Sequence, residues 1–362
     1  MVGVERGPSD SAKPKRPDRN ERRSERVRQA PPLPYGRAVT RHIRYDAWSP
    51  ADGTVRRESP QVTSWTSPWC APGFAFGDLV PSWSASTPRG TWLELAVQAR
   101  GSRTWHGLGT WASGPRHTHR ASPTGDPEVD TDIWRPRPHP EAYRLRVRLH
   151  GTARLRRVGA VVTAGRVGTD TSAPLRRRER VLDVPRLSQM TWQEVGGRGW
   201  CSPTSVVMVL SHAGTLPPAT DIPRAAREVF DPAYDGTGTW PFNTAWAATH
   251  AGRGFVTRLH DLRDAERFVD AGIPLVASVA YRTGALPGAP TRGTDGHLLV
   301  VRGFTGTGDV VTNDPAAPSE RSVRRTYARG PFERAWLDGS GGTVYVVHRE
   351  DQPLPTGSRG AW

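Results

Sequence analysis

The chain has 362 residues, 36% of them hydrophobic, and a formal charge of +15. That length exceeds what one core usually encloses, so two domains with flanking tails are expected. A mean hydropathy of −0.58 and the lack of an apolar run of membrane-spanning length exclude a transmembrane helix.

The positive charge is nearly all arginine, with lysine only at Lys13 and Lys15. Abundant arginine, alanine and glycine together suggest a GC-rich coding sequence, and no nucleic-acid-binding motif is present, so a nucleic-acid partner is not expected. Residues 1–37 are rich in Arg, Glu, Ser and Pro and read as a disordered basic tail. This start has no hydrophobic stretch of the signal-peptide kind.

From 38 to 163 the texture changes to short alternating runs between Gly, Pro, Asp and Ser clusters, which predicts an all-β sandwich domain. Leu93, Leu95, Val97 and Ala99 share one strand face, as do Tyr143, Leu145, Val147 and Leu149. Arg144, Arg146 and Arg148 fill the other face of the latter and read as a solvated stripe. Trp65, Trp69, Trp83, Trp92, Trp105, Trp111 and Trp134 are expected mainly in the core. The alternative is a carbohydrate or other cell-surface polymer stacked on the exposed ones, with Trp92, Trp105 and Trp111 as the candidates. Cys70 reads as a small buried residue, and a bond to Cys201 is not expected. His106, His117 and His119 lack partners at ligand spacing, so no metal and no cofactor are predicted.

Residues 164–183 form a polar linker into a second domain, 184–350, and 351–362 are a tail. Within VPRLSQMTWQEVGGRGWCSPTSVVMVLSHAG, a glycine-punctuated loop delivers Cys201 to the start of an apolar helix. Ser202 suits the N-cap, Pro203 the first helical position and Gly214 the stop. Cys201 would then sit at the positive end of the helix, where a thiolate is stabilised. Further helices are expected over 221–230, from an Asn243 cap to Gly252 with His250 near its end in a structural role, and over 264–271. Strands are expected over 273–280 and 343–348. Helices first and an antiparallel sheet afterwards is an α+β order.

GHLLVVRGFTGTGDVVTNDP, residues 296–315, reads as a hairpin about Thr305 and Gly306. Antiparallel pairing brings position 297 opposite a position near 314, making His297 and Asp314 cross-strand neighbours. Asn313 points to the other face. The histidine would take the Cys201 proton, and the carboxylate would orient the imidazole and stabilise its charged form.

Glutamine, cysteine, histidine and aspartate in this order resemble the bacteriocin-processing type of papain-like cysteine peptidase, and more closely its stand-alone bacterial relatives. The quoted residues are SQ before the loop, WCSPTS opening the helix, GH opening one strand and NDP closing the next, and the resemblance covers about 181–350. It implies a papain-like α+β fold, a peptide or protein substrate, and Gln189 as an oxyanion donor. The interval from Gln189 to Cys201 is longer than the family's, which leaves Gln193 as a rival. No nucleotide-binding motif is present, so the transporter fused to bacteriocin-processing members is not expected here. The resemblance implies export, whereas the start and the lack of disulfides suit the cytoplasm, so localisation stays open.

Cysteine peptidase chemistry through Cys201, His297, Asp314 and Gln189 is the leading expectation. Acyl transfer would use the same residues. The alternative from another class is a binding protein for a cell-surface polymer with a vestigial hydrolase domain.

Overall fold

A computed structural model describes residues 41–114, 120–168, 170–216 and 221–362. The expected tail at 1–37, together with His117 and His119, lies outside them. The described residues all belong to one compact unit, Ala38–Trp362.

The first part of this unit is all β. Its strands are β1 (His42–Trp48), β2 (Thr54–Ser59), β3 (Val62–Thr66), β4 (Asp78–Ser86), β5 (Trp92–Ala99), β6 (His106–Trp111), β7 (Val129–Asp130), β8 (Ile133–Trp134), β9 (Tyr143–His150) and β10 (Arg154–Ala164). They form two five-stranded sheets, ordered β1-β10-β4-β8-β7 and β2-β3-β9-β5-β6. The period-two alternation does what it should: Leu93, Leu95 and Val97 on β5 lie opposite Leu149, Val147 and Leu145 on β9. Together with Trp83, Val158, Ala160 and Val162 from the other sheet, they enclose one apolar core.

The second part is α+β. β11 (Arg180–Val181) is followed by α1 (Cys201–His212), α2 (Ile222–Val229), α3 (Trp240–Ala251), β12 (Gly252–Arg258), α4 (Leu262–Asp270), β13 (Leu275–Tyr281), β14 (Thr294–Phe304), β15 (Val310–Asn313), β16 (Arg324–Tyr327), α5 (Arg329–Ser340) and β17 (Thr343–Arg349). The sheet runs β12-β17-β13-β14-β15-β16, with β11 extending the β13 side of β14. An all-β region followed by a papain-like α+β domain is the fold class read from the sequence.

The two parts share their cores. Ten of the twelve residues of α3 are buried, more than a surface helix could manage, because it is enclosed from both sides. Phe242 of α3 sits 6.0 Å from the Trp83 ring of the first sheet, while Val80 and Val161 of that sheet belong to the core around α1. Arg120 from the β region donates to the carbonyls of Arg227 and Phe230, and Asp132 accepts the Trp240 N–H at the start of α3. An ion pair reinforces the contact: buried Arg258 of β12 donates to Asp78 of β4 at 2.6 Å and to Thr163 of β10 at 2.8 Å.

The segments between elements are tied down as well. In 164–183, Ser172 donates through its N–H and hydroxyl to Glu333 and accepts from Arg329. Near the end of the chain, Thr257 donates to the Ala361 carbonyl, and the Trp362 ring packs tilted against Phe268 at 4.7 Å.

Several local expectations are corrected. Trp111 is completely buried against Trp83, because its strand position faces the core. Trp92 is half-buried and stacks on His150 at 4.3 Å. The arginine stripe is not merely solvated: Arg144 lies between the Trp69 and Trp105 rings, Arg146 covers Trp105, and Arg148 pairs with Glu58 and Glu94. Cys70 is half-buried and donates to Asp46. His106 pairs with Asp126 at 2.8 Å and Glu128 at 3.4 Å. Helix α3 begins three residues before Asn243, whose amide donates to the carbonyls of Thr237 and Thr239 beneath the first turn. Neither β12 nor α5 was expected. Yet α5 carries a readable signal, with Phe332, Ala335 and Trp336 buried at i, i+3 and i+4 and Gly341 left-handed at its end.

No helix among the described residues is long and apolar enough to cross a membrane. Removing Asp78 would leave the Arg258 guanidinium buried with its charge uncompensated. Asp78→Ala is therefore expected to lower unfolding stability by about 3 kcal/mol, measured by chemical denaturation.

Candidate active site

Val206, Val207, Met208, Val209 and Leu210 bury α1 in the centre of the second part, which fixes the position of its first residue. That first residue is Cys201, and Trp200 is the N-cap. Ser202 is therefore not the cap. It is buried one residue into the helix and bonds the Tyr345 hydroxyl at 3.0 Å, anchoring the first turn to β17. In the first turn the Cys201 N–H has no intrahelical acceptor.

The loop before Cys201 is compact because its glycines allow it. A 3-10 turn covers Gln189–Val195, Gly196 follows at φ 102°, and a second turn covers Gly197–Gly199. A Cβ on Gly197 would lie 2.4 Å from the Gln189 carbonyl oxygen, a distance no side chain tolerates. Gln189 is buried, its backbone N–H donates to the Pro315 carbonyl, and its side-chain amide donates to the Arg198 carbonyl at 2.6 Å. The Ser188 hydroxyl donates to the Ala317 carbonyl at 2.6 Å. Gln193 is exposed and accepts from Arg198.

His297 enters from β14, opposite Val279 of β13. The hairpin register differs from the simple fold-back. Val300 pairs with Asn313, Val301 with Thr312 and Gly303 with Val311, so Arg302 is one extra residue on β14. His297 and Asp314 lie beyond the last pair, on the same side of the sheet and on the side opposite Asn313. Their side chains meet there, with Nε2 of His297 2.8 Å from Oδ1 of Asp314. Nδ1 is the nitrogen left for the Cys201 thiol, whose pKa His297 lowers. Asn313, on the opposite side, donates to the Pro185 carbonyl at 2.9 Å and clips the incoming chain.

Asp314 has no solvent exposure, and each oxygen is occupied. Oδ1 accepts from His297 and from the Ala316 N–H at 3.1 Å, and Oδ2 accepts from the Tyr327 hydroxyl at 2.8 Å. Tyr327 was not foreseen. It lies on β16 opposite Val310, and only the β15–β16 pairing brings it to Asp314.

These contacts set the charges. Burial would raise the Asp314 pKa, but the His297 charge and the bonds from His297, Tyr327 and Ala316 hold it below the ordinary carboxylate value. Burial would lower that of His297, yet the Asp314 charge and hydrogen bond raise it to about 10. For Cys201, burial pushes up, while the bond and charge of His297 and a backbone bond from Leu298 pull down further, leaving the thiol below its ordinary value. The arrangement favours a thiolate–imidazolium pair at neutral pH.

Two family models match the chain in succession. Residues 24–169 match the Peptidase C39 N-terminal domain, and residues 181–343 match the Peptidase C39 like family. The chain carries a C39-like peptidase domain. No curated protein matches it. All four residues singled out from the sequence fall within the span of the C39-like domain, and so does Tyr327.

The charge state of this C39-like domain is open to measurement. Alkylation of Cys201, followed by mass spectrometry to separate it from Cys70, should rise with an apparent pKa below the ordinary thiol value of about 8.5. Cys70 is the internal control, because burial and its bond to Asp46 push its thiol up to about 12. In Tyr327→Phe, Asp314 loses a donor that competes for its charge and stabilises the His297 imidazolium more, so the Cys201 profile should move to lower pH.

Proposed function

We propose that the protein is a cysteine peptidase that hydrolyses a peptide bond through Cys201, His297 and Asp314. On this reading it is a stand-alone relative of the bacteriocin-processing peptidases. The observation that carries the reading is buried His297, bonded to the fully buried Asp314 and lowering the pKa of the Cys201 thiol.

In the reaction, the Cys201 thiolate attacks the carbonyl carbon and forms a tetrahedral oxyanion. Its stabilisers are the free Cys201 N–H and the second N–H of the Gln189 side-chain amide, whose first is held by Arg198. The burial of Gln189 and its tie to Pro315 support it over the more accessible Gln193. His297 then gives its proton to the departing amine, leaving a thioester. Water, deprotonated by His297, attacks the thioester and releases the second product and the thiol. Asp314 stays ionised and holds the imidazole in position. Residues 38–163 serve as a companion domain to the 184–350 catalytic domain.

The test is hydrolysis of a peptide library by the full chain, read by mass spectrometry. Cys201→Ala should abolish cleavage, and Gln189→Ala should lower kcat about a hundredfold. A larger effect from Gln193→Ala would transfer the oxyanion role. For wild type, kcat/KM should rise as the thiolate forms and fall as His297 loses its proton near pH 10, because general acid catalysis then fails. Conjugated products on adding amines would move the reading to acyl transfer, and no turnover with an ordinary Cys201 alkylation profile would sink it.

A further inference from the structure

A cavity remote in sequence from Cys201 and His297 opens elsewhere in the fold. It holds about 350 Å3 and lies where β1, β4 and β10 of the β region face β12, β17 and the chain end. That volume is within the range of small-molecule sites, which favour such seams.

Its lining is graded in size and polarity. Small residues make the floor, with Ser82 and Ser84 from β4 and Gly159 from β10. Gly159 is required there, since a Cβ would meet the Asp46 carbonyl oxygen at 2.7 Å and the Tyr45 hydroxyl at 2.9 Å. Stacked rings form a wall: Tyr45 lies 4.6 Å from Phe255 at an interplanar angle of 27°. At the polar side stand Arg157 and Arg253, both close enough to act electrostatically on Tyr45 and on His348.

The charge balance in the cavity is positive. Asp46, its one lining carboxylate side chain, is committed to the Arg44 guanidinium and the Cys70 thiol. Arg253 shares its charge with Glu350, at 2.8 Å, whereas Arg157 forms no ion pair among the described residues. His348 is held below its ordinary pKa by burial, to which both arginines add, and its Nδ1 is engaged by the Gln352 carbonyl. The hydroxyls of Tyr45 and Ser84 open on the cavity with no hydrogen-bond partner among the described residues.

We propose that this seam cavity binds a small organic anion, its carboxylate or phosphate held by Arg157 and Arg253 and its flat apolar body against Tyr45 and Phe255. A guanidinium pair recognises planar anions through paired N–H groups, and an aromatic wall selects a flat body. The ligand would touch both parts of the fold and so join them.

The experiment is calorimetric titration of the full chain with 3-phenylpropionate, phenyl phosphate and the uncharged 3-phenylpropanamide, into the millimolar range. At least one of the two anions is expected to bind saturably at one site, with the tighter one identifying the head group, and the amide is expected not to. Arg157→Ala should weaken binding by at least about tenfold, one charged contact's worth. An unchanged Cys201 alkylation rate and an unchanged ligand-free melting curve would show that this variant remains folded. Should Arg157→Ala disturb the fold, Ser84→Phe, which fills the floor, should block the anion instead. Absence of saturable binding by either anion, equal binding of the amide, or undiminished affinity in a folded variant would overturn the proposal.

Discussion

Asp314 is a carboxylate with no exposure to water, and the site is arranged around satisfying it. A buried charge is tolerated only when paired and hydrogen-bonded. Here the pairing comes from His297, Tyr327 and the Ala316 N–H, drawn from β14, β16 and the turn after β15. Each donor fixes the element that carries it, so the demand of one carboxylate ties three neighbouring segments of the sheet. The same carboxylate raises the His297 pKa, and His297 in turn lowers that of the Cys201 thiol. The lowered pKa of the thiol thus follows from electrostatics in the protein interior.

The same economy is visible in the loop before α1. Ser188 and Gln189 are fastened to the carbonyls of Ala317 and Pro315, immediately after Asp314. Thus the loop that leads to Cys201 and the turn that follows Asp314 are one bonded unit, although more than a hundred residues separate them. Gly197 is the condition for this, because its backbone packs where a side chain would overlap Gln189. The all-β region takes part at one remove. Its Asp132 holds the start of α3, and its Trp83 and Val80 enter cores that α3 and α1 also line. The all-β region and the α+β region pack within one compact unit with shared cores, sealed by the Arg258–Asp78 ion pair.

Local periodicity made much of this readable. The apolar body of α1, the alternation in β5 and β9, and the turn between β14 and β15 are each carried by residues a few positions apart. Such patterns survive without knowledge of the rest of the chain. Where expectation and fold differ, a long-range partner has decided. Ser202 could cap a helix, but Tyr345 gives it a buried bond, and the helix starts at Cys201. Trp111 has the look of a ligand platform until its strand is placed against Trp83. The arginines of β9 look solvated until Trp69 and Trp105 arrive from other segments to cover them.

By itself, the sequence determined the class of the fold and the order of cysteine, histidine and acid, because helix and strand signals and side-chain chemistry are local. Only the tertiary structure decided that Nε2 of His297 faces Asp314, that Arg302 bulges the hairpin, and that Tyr327 completes the shell of the acid. It alone also decided that the two parts merge and leave a cationic, aromatic cavity along their seam. Those features arise from contacts between residues far apart in the chain, and no spacing within a segment encodes the distance between two segments.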